Sequence, residues 1–201
     1  FDSDGINVQQ FWTTSADGER IPYFHVGKNA TPDTPTLVYA YGGFGIPELP
    51  HYLGSVGKYW LEEGNAFVLA NIRGGGEFGP RWHQAAQGIS KHKSVDDLLA
   101  VVRDLSERGM SSPKHIGLQG GSNGGLLTGN MLTQYPELFG AVVVQVPLLD
   151  MKRYNKLLAG ASWMAEYGNP DTADWEFIRT FSPYHLFDAG KDYPPVIFLT
   201  S

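Results

Sequence analysis

The 201-residue chain has no cysteine, which excludes disulfides, a thiolate nucleophile and every Cys-ligated metal site. That absence suits a reducing compartment, so a cytoplasmic location is expected, with the periplasm as the alternative. There is no Lys/Arg cluster and the net charge is −6, which leaves nucleic-acid binding without electrostatic support. No apolar run reaches the ~18 residues of a membrane-spanning helix, so no membrane partner is expected. The six histidines never fall in a His-Glu-x-x-His or comparable spacing, and neither a metal nor another cofactor is expected. The start, Phe1-Asp2-Ser3-Asp4-Gly5, lacks an initiator Met as well as the basic and apolar regions of a signal peptide. A piece of a longer protein is the expectation. Internal repeats and low-complexity segments are also missing.

What is present is globular. Apolar residues make up 42% and charged residues 18%, which argues against disorder, and the length suits one domain with a sizeable core. Val8–Thr14 and Ile21–Val26 flank the turn Ala16-Asp17-Gly18 and predict an antiparallel hairpin. The runs Thr36–Tyr41 and Ala66–Ile72 are apolar without alternation, the pattern of strands buried on both faces of a parallel sheet, and Ala141–Val146 reads as another buried strand. Ser94-Val95-Asp96-Asp97 reads as a capping box opening a helix that Gly109 closes. Lys114–Leu118 predicts a strand, Leu126–Tyr135 a helix, Lys152–Phe187 a set of short helices and Pro195–Leu199 a last strand. Strands alternating with helices predict a doubly wound, mostly parallel α/β domain.

One segment carries chemistry. In Gln119-Gly120-Gly121-Ser122-Asn123-Gly124-Gly125 a serine sits between glycines at the junction of a predicted strand and a predicted helix. So sharp a turn has little room for side chains, and it lifts the serine hydroxyl above the sheet. This is the pattern of the nucleophile elbow of an α/β-hydrolase, although a plain Gly-rich turn would look similar. Attack on a carbonyl also needs donors for the oxyanion. The Asn123 N–H is one candidate; Tyr41-Gly42-Gly43-Phe44-Gly45, after the strand from Thr36, offers the Tyr41 hydroxyl as another. A competing motif, Gly74-x-Gly76-x-x-Gly79, matches a dinucleotide fingerprint. It follows roughly the fourth strand rather than the first, and Asp96 and Asp97, at the right distance for the ribose, lie at a helix start. The expectation is instead that Arg73 anchors this loop.

The elbow and the Tyr41 loop, together with Asn71-Ile72-Arg73-Gly74-Gly75-Gly76-Glu77-Phe78-Gly79 and Ala161-Ser162-Trp163-Met164-Ala165-Glu166-Tyr167-Gly168, resemble the catalytic domain of the prolyl oligopeptidase family of serine peptidases. The resemblance is nearly collinear from Val8 to Ser201. It implies an α/β-hydrolase fold, Ser122 as nucleophile, Tyr41 as oxyanion donor and Trp163 as the platform for a substrate proline, with Phe44 and Tyr167 lining the same pocket. The physics agrees, since an indole face can bury a flat, donor-free proline ring without stranding a polar group. Short peptides cleaved after proline through an acyl-enzyme are the implied substrates, and a β-propeller domain of the parent chain is the implied partner.

In α/β-hydrolases the triad follows in the order Ser, Asp, His. The sequence stops at Ser201, ahead of both expected positions; His185, Asp150, Asp188 and Asp192 all precede the last predicted strand. No catalytic Asp or His is therefore assigned. Residues 1–201 are expected to be an incomplete catalytic domain, truncated at its C-terminus, nearly inactive alone and prone to associate through an exposed terminal strand. Three alternatives stay open: a relative with another P1 preference, which Glu166 beside Trp163 would suit if basic; an esterase; and a non-catalytic binding domain.

Overall fold

The computed structural model describes residues 1–200, and Ser201 lies outside them. Seven strands form one sheet: β1 (Asn7–Thr14), β2 (Arg20–Gly27), β3 (Thr36–Tyr39), β4 (Ala66–Ala70), β5 (Ile116–Gly121), β6 (Ala141–Gln145) and β7 (Val196–Leu199). Their spatial order is β1-β2-β4-β3-β5-β6-β7. The first two form the expected hairpin, with Val8 opposite Val26 and Trp12 opposite Pro22, and β2 joins β4 antiparallel. From β4 to β7 every pairing is parallel. The helices are α1 (Gly54–Val56), α2 (Pro80–Gln84), α3 (His92–Glu107), α4 (Asn123–Gln134), α5 (Met164–Tyr167), α6 (Trp175–Ile178) and α7 (Pro183–Leu186). A π-helical turn, Gly57–Leu61, extends α1; nothing in the sequence pattern announced it.

The alternation of strand side chains divides the core in two. Val38, Val68, Ala70, Ile116, Leu118, Val142 and Val144 pack with Leu98, Val102 and Leu105 of α3 and Met131 of α4. On the opposite face Leu37, Tyr39, Phe67 and Leu69 pack under Leu61, Val56 and Trp60. β4 is accordingly buried along its whole length. The same was expected of Ala141–Val146, and there the structure differs. β6 alternates between buried and partly exposed positions, because its second face meets no helix among the described residues. A polar pair occupies that face, with Gln119 Nε2 donating to Gln145 Oε1 at 2.9 Å.

Two helix starts also differ from expectation. α3 begins at His92, because the 3₁₀ turn Gly88–Ser90 runs directly into it. Ser94 is thus buried inside the helix and caps nothing; its hydroxyl donates to the carbonyl of Arg73 at 2.8 Å. The elbow helix α4 starts three residues before the expected Leu126, immediately after Ser122. The chain from Lys152 to Phe187 does form short helices, around a third core of Leu126, Met151, Tyr154, Tyr167, Ile178 and Phe181. Asn130 pins this region to α4, its Nδ2 donating to the carbonyls of Leu126 at 2.9 Å and Phe181 at 3.0 Å. No described helix is long and apolar enough to cross a membrane.

The topology positions the site. After β3 the chain moves to one side to build β4, then returns past β3 to build β5 on the other. The crevice between the C-terminal ends of β3 and β5 is therefore a switch point, where open α/β sheets place their ligands. Tyr41 follows β3 and Ser122 follows β5.

Candidate active site

β5 ends at Gly121 and α4 begins at Asn123, so the whole reversal falls on Ser122, at φ 56° and ψ −116°. A left-handed φ on a side-chain-bearing residue is strained and persists only where the surroundings enforce it. Here the Ser122 N–H donates to Gln145 O of β6, and its own carbonyl accepts from Leu126 N, each at 3.0 Å. Close backbone approach explains the next glycine: a Cβ on Gly124 would lie 2.8 Å from Ala40 O at the end of β3. The result is an exposed serine hydroxyl on a rigid mount.

Ser122 shares a cleft of about 270 Å³ with Tyr41, Phe44, Ile46, Leu148, Trp163 and Tyr167. Five residues singled out from the sequence thus meet around one cavity, drawn from the ends of β3 and β5 and from the α5 region. Asn123 lies behind the cleft wall. Its side chain is buried and bridges two walls, Nδ2 donating to Tyr41 O at 2.6 Å while Oδ1 accepts from the Tyr167 hydroxyl at 2.8 Å. Its backbone N–H belongs to the first turn of α4 and has no acceptor among the described residues. Gly43 makes this packing possible, for a Cβ there would stand 2.4 Å from Asn123 Nδ2. Phe44 and Tyr167 meet edge to face, with ring centroids 5.6 Å apart.

Burial raises the Tyr41 phenol above its ordinary pKa, and Glu166 and Glu48 push the same way against the neighbouring Ser122 hydroxyl. The phenol therefore keeps its proton at neutral pH and remains a donor. Tyr167 is also raised by burial, but its proton is already committed to Asn123. Tyr167 is fully buried and acts as the floor of the cleft, whereas Trp163 is half-buried and presents its ring to it.

Sequence reasoning missed Ile46 and Leu148; the position of Leu148 just after β6, at the active edge of the sheet, was the one available signal. The alternative of a basic P1 residue would need Glu166 in the pocket, and the structure places it elsewhere. That carboxylate is 2% exposed and does not line the cleft. It is held by Lys91 Nζ at 3.0 Å, Phe44 N at 3.1 Å, His83 Nε2 at 2.7 Å and Gln87 Nε2 at 3.3 Å. Burial raises its pKa, but Lys91, His83 and the Phe44 N–H outweigh that and hold it below the ordinary carboxylate range.

The Gly74–Gly79 loop is structural, as expected. Arg73 is buried and forked onto Asp97, with Nε–Oδ2 at 2.9 Å and NH2–Oδ1 at 2.6 Å, and it reaches Asp17 in the hairpin turn at 2.7 Å. Asp97 thus spends its carboxylate on Arg73, and the loop leads into the five-residue α2 rather than the long helix that a dinucleotide site needs. No histidine among the described residues reaches Ser122: His83 meets Glu166, His185 meets Ser182, His51 and His92 bond locally, and His115 meets Ser112 and the Pro32 carbonyl. His25 is buried in β2, with its Nε2 unpartnered.

Comparison with known proteins bears on the family and the fold. A family model described as "Prolyl oligopeptidase family" matches residues 53–201. An uncharacterized peptidase, y4nA, of Sinorhizobium fredii is 51% identical over 205 residues, spanning 100% of this chain and 28% of that protein. A prolyl endopeptidase of Elizabethkingia meningoseptica is 36% identical over 206 residues, again 100% of this chain and 29% of that one. The solved structure of a post-proline cleaving enzyme from Rickettsia typhi superposes with a TM-score of 0.94 at 44% identity, covering 98% of this chain and 29% of its own. The chain therefore spans under a third of the relatives it matches.

Proposed function

Since the chain belongs to the prolyl oligopeptidase family of serine peptidases, with an α/β-hydrolase fold, we propose that it is the larger part of a catalytic domain that cleaves short peptides after proline. The observation that carries this reading is the single cleft in which the strained Ser122 faces Tyr41 and Trp163. Ser122 Oγ attacks the carbonyl carbon of the proline residue. The oxyanion that forms is held by the Asn123 N–H and the Tyr41 hydroxyl, two donors fixed before the substrate arrives. The P1 proline ring lies on Trp163, closed in by Phe44 and Tyr167. Collapse of the tetrahedral intermediate breaks the C–N bond, the amine leaves with a proton, and water hydrolyses the resulting ester on Ser122.

The proton must pass through a base oriented by a carboxylate, and we assign both to the parent protein outside these residues, as we do a β-propeller that limits access to short peptides. In support, all three relatives above are more than three times the length of this chain, and no described histidine approaches Ser122. By the same reasoning the isolated 201-residue polypeptide turns over peptides negligibly. A preference for basic P1 residues finds no support in the cleft, since the neighbouring acid, Glu166, is buried and neutralised by Lys91.

The test is cleavage by the full-length protein of matched fluorogenic peptides that differ only at P1. Proline should be strongly preferred over lysine and alanine. Equal or faster cleavage after lysine would overturn the assignment of Trp163 as a proline platform.

A further inference from the structure

Two polar connections run from the Tyr41 loop to α5. The first is neutral and passes through Asn123, from the Tyr41 carbonyl to the Tyr167 hydroxyl. The second is ionic and has no part in the chemistry above. Lys91 Nζ donates to Gly42 O at 3.1 Å and to Glu166 Oε1 at 3.0 Å, and the same Oε1 accepts from Phe44 N at 3.1 Å. Lys91 and Glu166 are 5% and 2% exposed. The ammonium also lies 5.5 Å from the centre of the Tyr167 ring.

A buried ion pair is a poor source of net stability, because desolvation offsets most of its attraction. What it supplies here is geometry. Gly42 and Phe44 are both left-handed, at φ 65° and 56°, on either side of Gly43. Local preference does not hold a loop in that shape, least of all at a phenylalanine. The Lys91–Glu166 pair grips the loop at the two residues that flank Gly43: the ammonium holds the Gly42 carbonyl and the carboxylate holds the Phe44 N–H. Because Glu166 adjoins Tyr167, that grip sets the loop against the floor of the substrate cleft.

We propose that Lys91 and Glu166 are positioning residues, which lock the Tyr41–Phe44 loop to α5 so that the oxyanion donor and the aromatic wall of the proline pocket keep one register. This rests on the reading of Ser122 as nucleophile and Tyr41 as donor. Neither Lys91 nor Glu166 touches the substrate. Their effect passes through Tyr41 and Phe44, where displacement of the order of 1 Å can cost about 10²-fold in rate.

The experiment uses the full-length protein with Lys91→Met, Glu166→Gln and both together, and measures kcat and KM on P1-Pro and P1-Ala peptides alongside the melting temperature. Each single variant should lose about 10²-fold in kcat with little change in KM. The proline-over-alanine ratio should fall, and the double variant should be no worse than the poorer single, because both act on one connection. Lys91→Arg should recover part of the lost kcat. Variants that melt lower yet keep the parent kcat and P1 ratio would overturn the proposal, since a purely structural pair predicts that pattern. Should Lys91→Met fail to fold, Glu166→Gln, which keeps size and shape, decides on the same readouts. A parent protein that neither cleaves P1-Pro peptides nor labels at Ser122 would overturn the nucleophile assignment and this inference with it. An active parent with unaffected variants overturns the inference alone.

Discussion

On the proposed reading, three side chains at the cleft, Ser122, Tyr41 and Trp163, have separable roles. Tyr41 is a phenol held neutral by burial, so Tyr41→Phe removes a hydrogen-bond donor and nothing else of consequence. In the full-length protein this should lower kcat about 10²- to 10³-fold, or about 2.7–4 kcal/mol of transition-state stabilisation, with KM little changed. A kcat within a few-fold of the parent would leave the oxyanion to the Asn123 N–H alone. On the same reading, Trp163→Ala removes a contact made in both ground and transition states. Its cost should appear in kcat/KM, about 10- to 100-fold for about 1.5–3 kcal/mol of lost apolar contact, and mainly through KM. Ser122 and Tyr41 stood out in the sequence because each sits in a local pattern with a chemical reason, whereas Trp163 stood out through the family resemblance; the fold brings all three to one cleft. The side chain of Asn123 was not legible, nor was the true place of Glu166. Their partners lie 82 and 75 positions away, at Tyr41 and Lys91, and no local pattern encodes such a pairing.

The elements hold the site through close backbone approach and two buried ionic links, Arg73–Asp97 and Lys91–Glu166. Gly124→Ala would drive a methyl group to 2.8 Å from Ala40 O, forcing β3 and α4 apart at the elbow. A loss of about 1–3 kcal/mol in chemical denaturation is expected, with activity lost beyond what stability explains. Arg73 joins the hairpin turn at Asp17, the end of β4 and α3 at Asp97. Arg73→Met would strand the wholly buried Asp97 carboxylate and should cost about 3–5 kcal/mol, measurable as a lower denaturant midpoint. The parallel strands, the hairpin and the helix ending at Gly109 were readable from apolar runs and turn residues. The start of α3 was not: Ser94 has the chemistry of a cap, but the preceding 3₁₀ turn begins the helix three residues sooner than that cap would and turns Ser94 inward to hold the Arg73 carbonyl.

At the scale of the whole chain, β7 is the last strand in the sheet among the described residues. Its Ile197, Phe198 and Leu199 are 58%, 53% and 46% exposed, an apolar strand with unpaired backbone groups along one side. As an isolated polypeptide, residues 1–201 should self-associate at micromolar concentration, and Ile197→Lys should suppress this in sedimentation velocity. Association that is unchanged by Ile197→Lys would place the contact elsewhere. Charge gives a second global readout. Glu166 has a folded pKa below its unfolded value, so the folded state binds fewer protons than the unfolded one and stability rises with pH through that interval. Its contribution is complete above the unfolded pKa of ~4.3 and is lost as pH falls through the folded value. Denaturation midpoints taken from pH 7 down to 3 should therefore fall less steeply for Glu166→Gln than for the parent; parallel curves would contradict this. The sequence showed a mostly parallel sheet but not the order of its strands, because which strand lies at an edge depends on crossovers rather than on any strand's own residues.

Everything above converges on one hydroxyl. Full-length protein treated with a fluorophosphonate and mapped by peptide mass spectrometry should carry a single adduct on Ser122, and Ser122→Ala should carry none while keeping its fold. An adduct on another residue, or labelling that survives Ser122→Ala, would show that the nucleophile lies elsewhere.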